Sequence, residues 1–312
     1  MPSLKTLTIT SAGGRTNAQF VPAANMVCCS LEHDGVEWLA QRRGVATYAE
    51  AGKTMGIPLL YPWANRLSRF GYEAAGKTVV LDDADRRIPR DNQGLPIHGV
   101  LPGLLTWEVM DGTSESAVQA RLKWASSELL GLFPYPHEVK LEAGLSDGQL
   151  TIATTVRANH GEPVPVSFGF HPYLRTAGAP RDTWDIELAA SRRLVLDERG
   201  IPTGEREPVT QLGFKLADSS WDTPFDRLTQ PAQFSVTGGD AKLSVAFRTG
   251  YEFAQVFAPA GEDFICFEPM TATTDALNSG DGLRIVPPGE EHRAEFTVAV
   301  ASRSPRAGNT SR

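Results

Sequence analysis

EVKLEAGLSDGQLTIATTVRA, residues 138–158, decides the fold class. Val139, Leu141, Ala143 and Leu145 alternate with Glu138, Lys140 and Glu142, and Leu150 and Ile152 alternate with Thr151. A period of two puts one set of side chains on a core and the other in water, which is the signature of a half-buried strand. "SDGQ" between the two runs is a turn signal. The same chemistry recurs in both directions from this stretch: "KTLTIT", "KTVVL" and "AVQARLKW" before it, and "DIELAA", "KLSVAFRT", "FAQVFAP", "DFICFEP" and "RAEFTVAVA" after it. Turn signals separate these runs, among them "ANHGEP", "ERGIP", "TGGDA" and "PPGEE". Helical periodicity is nearly absent, with short helices expected only near "GLFPYP" or "LLYPWANRL". The pattern reads as all-β, a large sandwich or barrel that hides its edges, and the lack of a fixed repeat argues against a propeller.

The chain has 312 residues, 41% apolar and 21% charged, the balance of a globular protein able to bury a large core. Residues 1–302 read as a single domain and residues 303–312, small, polar and basic, as a flexible tail. A net charge of −7 argues against a large nucleic-acid footprint, though a local basic pocket for a small anion remains compatible with it. Cys28, Cys29 and Cys266 lack the spacing of a zinc site, and adjacent Cys28 and Cys29 face opposite ways in a strand. Sparse cysteines, no apolar signal segment in MPSLKTLTITSAGG and no membrane-length run lead to the expectation of a cytoplasmic protein without a membrane partner.

Polar groups stand beside apolar runs at five places. In "SFGFHPYLR", His171 comes where Pro172 ends a strand that alternates Phe168 and Phe170 with small residues. In "GIPLLYPWANRLSRFG", Asn65 and Arg66 follow an apolar run, and a guanidinium between Trp63 and Leu67 needs partners if buried. His98 in "GLPIHGV" precedes a glycine that permits close backbone approach. Asp222 in "SSWDTPFDRL" lies before a Thr-Pro turn, with Asp226 as its competitor. Glu268 ends the apolar strand 264–267, either as a rim salt-bridge residue or as a carboxyl of shifted pKa. Each of them has a plain structural reading as a satisfied loop, cap or surface residue. Together they form a kit for neutral acid–base work on a polyhydroxylated molecule, with Trp63, Tyr61, Tyr173 and Phe225 available to cover a sugar's C–H face. The absence of a nucleophile elbow, P-loop or GxGxxG removes the common hydrolase, kinase and dehydrogenase classes.

Six segments, in order, resemble the aldose 1-epimerases (galactose mutarotases): "GIPLLYPWANRLSRFGYEAAGKTVVL", "PIHG", "FGFHPYL", "LDERGIPTGE", "WDTPF", and "FEPMTATTDALN" with "VPPGE". The resemblance implies a large galactose-mutarotase-like β-sandwich with very few short helices and an open sugar cleft. It implies interconversion of the α and β anomers of a free hexose or related aldose, with no cofactor and no metal. Position by position, His171 matches the general acid and Glu268 the general base, while Asn65, Arg66, His98 and Asp222 match sugar-binding positions. The expected partner is a small-molecule sugar, with the protein a monomer or homodimer. Two alternatives stand beside this reading. One is a hexose-6-phosphate 1-epimerase, which needs extra cations such as Arg42, Arg43, Lys53 or Arg69. The other is a carbohydrate-binding protein without turnover, which needs no acid–base pair.

Overall fold

The computed structural model describes residues 4–302; the tail read at 303–312 lies outside the described residues. His137–Ser146 and Gln149–Ala158 are neighbouring antiparallel strands, with Ser146 opposite Gln149 across an Asp147-Gly148 turn. Burial alternates along the first of them, so Val139, Leu141, Ala143 and Leu145 face the core as the sequence pattern requires. This pair sits inside a nine-stranded sheet, flanked by Ala117–Trp124 on one side and Glu291–Ser302 on the other.

The second large sheet has eight strands. Its central part runs Trp221–Leu228, Phe253–Ala258, Ile265–Met270, Gly169–Phe170 and Leu59–Leu60, with Tyr173–Leu174 also paired to Ile265–Met270. The two sheets form a β-sandwich. Ile265 and Phe267 point into the main apolar cluster, where Phe267 stacks on Phe234 of the nine-stranded sheet at 5.8 Å between ring centroids. Phe170 meets Phe296 at 4.9 Å in the same seam. Each such burial contributes roughly 1.5–3 kcal/mol, so this seam dominates the attachment of one sheet to the other. Cys266 belongs instead to a small separate cluster with Tyr173 and Phe264. Period-two alternation therefore sends Cys266 and Glu268 to the face turned away from the seam.

Helices are few among the described residues. Gly44–Ala51 is the longest, ended by Gly52 in the left-handed conformation, and Ser127–Leu130 forms one turn just ahead of "GLFPYP". Two expectations are corrected here. "LLYPWANRL" is not helical: Leu59–Leu60 is a strand, and Tyr61, Trp63 and Arg66 make isolated bridges to Gly99, Ser167 and Ile97. The proline spacing keeps this segment extended, because residues before proline avoid the helical region. The turn expected after Asp222 is also absent. Trp221–Leu228 is a continuous strand, and Pro224 sits opposite Gln255 within it. Cys28 and Cys29 do face opposite ways, into different apolar clusters.

Candidate active site

The outward face of the eight-stranded sheet floors a cavity of about 560 Å³. Strand register explains which side chains reach it. Gln255 pairs with Glu268, Phe257 with Cys266, Asp222 with Phe257, and Tyr173 with Cys266. Directly opposed residues share a face, so four strands deliver Asp222, Gln255, Phe257, Glu268 and Tyr173 to one surface. All five line the cavity, as do His171, His98, Asn65 and Arg66. The six residues matched to catalytic or sugar-binding positions, His171, Glu268, Asn65, Arg66, His98 and Asp222, thus meet at one place.

His171 is held by its neighbours. Its ring stacks on Tyr173 at 4.4 Å and 5°, with Phe257 edge-on at 5.5 Å and His98 edge-on at 5.7 Å. The backbone comes into place because Gly169 crosses flush against the next strand, where any Cβ would collide with Met270 Sδ and the Pro269 carbonyl. Nε2 of His171 lies 3.3 Å from Oε1 of Glu268. The contact is within ion-pair range but lacks hydrogen-bond alignment, and both Glu268 Oε1 and His171 Nδ1 are buried without a hydrogen-bond partner. Two unmatched buried polar atoms side by side are costly unless a partner completes them.

Burial sets the charge states. Desolvation pushes the Glu268 carboxyl well above the usual carboxylate range, and Asp222 adds to this while Arg66 opposes it. Desolvation, then the fields of His98 and Arg42, push His171 well below its ordinary value. Both shifts favour the neutral forms, a protonated Glu268 beside an unprotonated His171. His98 falls to about 3, first through burial and second through Arg66, so it is neutral and serves hydrogen bonding rather than charge. Its ring is shut off at Nδ1, which has no partner among the described residues, although the residue as a whole is half-buried.

Arg66 organises the opposite wall. Its Nε donates to Asp91 at 2.8 Å and its Nη1 to Asn65 Oδ1 at 3.2 Å, while Nη2 reaches Asp222 at 3.5 Å. The Asp91 side chain is 6% exposed. Burial alone would raise its pKa, but Arg66 and the amides of Leu95 and Gln93 overcome this and hold the carboxylate ionised. Asn65 and His98 both adopt left-handed backbone, φ 56 and 61. Such strain in non-glycine residues persists where surrounding structure enforces it. Here the His98 amide donates to the Asn65 carbonyl, and Gly99 packs so tightly on the Tyr61 carbonyl that no Cβ fits.

Asp222, not Asp226, borders the cavity. Asp226 is buried further along the same strand, where Arg192 and Arg206 bind it at 2.6 and 3.0 Å. Of the four aromatic residues read as sugar covers, only Tyr173 lines the cavity. Tyr61, Trp63 and Phe225 are buried in the core. Arg69 is exposed and outside the cavity, whereas Arg42, Arg43 and Lys53 line it. Gln255, Phe257, Asp91 and Thr54 were not read from the sequence. Gln255 left a signal, a lone polar residue in "FAQVFAP". Asp91 left none, since its partner lies far away in the chain. The fold also brings His171, Cys266 and Glu268 within 4.8 Å of one another, a metal-ligand grouping that linear spacing does not show.

The two-sheet sandwich is of the galactose-mutarotase-like fold class. The aldose 1-epimerase family model matches residues 25–299, and the chain belongs to that family. The Escherichia coli (strain K12) protein YihR is 24% identical over 252 residues, 77% of each chain. A galactose mutarotase-like protein from Clostridium acetobutylicum superposes with a TM-score of 0.81 at 17% identity, over 97% of this chain and 100% of that one. The Slr1438 protein from Synechocystis sp. PCC 6803 gives 0.79 at 22% identity, over 96% and 97%. At these identities the two structures speak for the fold.

Proposed function

We propose that the protein is an aldose 1-epimerase that interconverts the α and β anomers of an aldose by ring opening and closure. The buried His171–Glu268 pair, 3.3 Å apart, carries the reading. His171 delivers a proton to the ring oxygen as the C1–O5 bond breaks. Glu268 removes the proton of the anomeric hydroxyl, whose electrons form the C1 carbonyl. Half a turn about C1–C2 presents the other carbonyl face. Closure reverses both transfers, so the pair ends as it began. The proton count is one throughout, and the arrangement favoured in the empty cavity, neutral His171 with protonated Glu268, is the one that ring opening produces.

Arg66, Asn65, Asp222 and Gln255 supply donors and acceptors for hydroxyls along the wall, and neutral His98 orients beside His171. Binding alone requires no buried carboxyl held against an imidazole, and such a pair is costly to maintain. A polarimetric mutarotation assay over free aldoses, at a pH where spontaneous exchange is slow, tests the reading. Acceleration by the protein that vanishes in Glu268→Gln is expected. Absence of acceleration with every aldose overturns it.

A further inference from the structure

The cavity is lined by five cations, Arg42, Arg43, Lys53, Arg66 and Arg90, against three carboxylates, Asp91, Asp222 and Glu268. Arg66 engages Asp91 and Asp222, and burial favours the neutral form of Glu268. The other four cations form no ion pair among the described residues. Arg15, Arg87, Arg121, Arg192 and Arg206 each hold a carboxylate elsewhere in this chain of net charge −7, whereas these four gather unpaired around one cavity. Like charges gathered without counterions around a concave site raise the local concentration of anions.

Arg42 shows where along the cavity this charge acts. Its guanidinium lies 5.0 Å from the centroid of the Tyr173 ring and 4.6 Å from that of Phe264, and Tyr173 in turn stacks on His171. The residue has a left-handed backbone, φ 44, a conformation that is strained in a non-glycine residue and recurs at ligand sites. Arg42 thus stands on the His171 side of the cavity, one aromatic ring beyond the imidazole. In a pyranose the ring oxygen is bonded to the carbon that carries the exocyclic group, so whatever protonates that oxygen lies next to the exocyclic position.

We infer that the site takes an aldose bearing an anionic substituent on the exocyclic carbon beside the ring oxygen, C6 of an aldohexose, with Arg42, Arg43 and Lys53 receiving the anion. This rests on the mutarotase reading and on His171 acting at the ring oxygen. Phosphate, sulfonate and carboxylate share the chemistry required, and a guanidinium can meet any of them with two parallel N–H donors. The substituent has a second effect. Arg42 is one of the groups that disfavour protonation of His171, after burial and His98, and an anion seated on Arg42 offsets that part of the field as the ring arrives.

The test compares catalysed anomer exchange, measured by magnetisation-exchange NMR after subtraction of the spontaneous rate, for glucose, glucose 6-phosphate, glucuronate and 6-deoxyglucose 6-sulfonate. At least one anionic sugar is expected to exceed glucose roughly tenfold or more in kcat/KM, the scale of one charge-assisted hydrogen bond. Arg42→Gln is expected to shrink that preference at least about fivefold, and higher ionic strength to erode it. Lys53→Gln gives the same reading on a second exposed residue if Arg42→Gln fails to fold. Glucose turned over as well as or better than all three anions, or a preference untouched by both substitutions, overturns the inference and leaves the mutarotase reading standing. No catalysed exchange of any of the four sugars, with free galactose also inert, overturns the mutarotase reading itself.

Discussion

Gln255 donates through Nε2 to Asp222 Oδ1 at 2.5 Å, across two neighbouring strands, while standing opposite Glu268 on the third. A buried amide thus fixes the half-exposed Asp222 carboxylate of the cavity wall beside the proposed base. Hydrogen bonds to charged groups contribute about 1.5–3 kcal/mol. Gln255→Ala is expected to raise KM roughly tenfold, with a smaller fall in kcat, because it loosens Asp222 without touching the proton pair. Steady-state mutarotation kinetics check this.

Arg66→Ala is expected to weaken sugar binding more than the chemical step. Its guanidinium binds Asp91, Asn65 and Asp222 but does not touch the His171–Glu268 pair. Because the substitution also leaves Asp91 buried and unpaired, Tm should fall. The Asp91 contribution has a definite pH sign: its folded pKa is lowered, so its stabilisation is present above the unfolded value near 4 and is lost as pH falls through the folded value. Melting curves of wild type and Arg66→Ala should therefore converge at acid pH.

The pH profile of kcat/KM follows from the one-proton pair. A second proton must go onto His171, whose pKa is lowered, so the acid limb should lie below the ordinary histidine value. The last proton leaves Glu268, whose pKa is raised, so the alkaline limb should lie above the ordinary carboxylate value. The profile is bell-shaped with limbs that belong to the pair. A single step at the free histidine value would contradict it.

The large strands were legible and the small ones were not. Ala117–Trp124 and Gln149–Ala158 match the runs read from sequence residue for residue, since one face meets water and alternation survives. Leu59–Leu60 has two residues, too few for any period to register, while Gly169–Phe170, equally short, shows only through the alternation of Phe168 and Phe170 before Pro172. In Trp221–Leu228, Pro224 imitates a turn. The helix Gly44–Ala51 escaped because Tyr48 and Ala49 alone are buried in it, which leaves no stripe to read. At the site, His171, Glu268, His98, Arg66, Asn65 and Asp222 were visible as polar groups at the ends of apolar runs. Gln255 and Asp91 take their meaning from partners on other segments, and Tyr61, Trp63 and Phe225 turned inward because aromatic bulk serves the core first.

The close approach of His171, Cys266 and Glu268 invites a metal test. The proton-transfer account needs none, so treatment with a chelator is expected to leave turnover per molecule unchanged. Loss of activity restored by one added divalent metal would contradict this.

His171→Asn and Glu268→Gln should each remove most turnover, and the double variant should be far less than multiplicatively worse, because the two groups act in one cycle. A double variant slower by the full product of the single effects would show that the groups act independently.

The most direct measurement is the anomer-exchange rate of folded Glu268→Gln at neutral pH, read alongside its melting temperature. Glutamine keeps the shape and reach of Glu268 and cannot take the proton. The account predicts a loss of about 10²–10⁴-fold with Tm close to wild type. Turnover near wild type in a well-folded protein would contradict it, and would return the His171–Glu268 contact to a feature of the core.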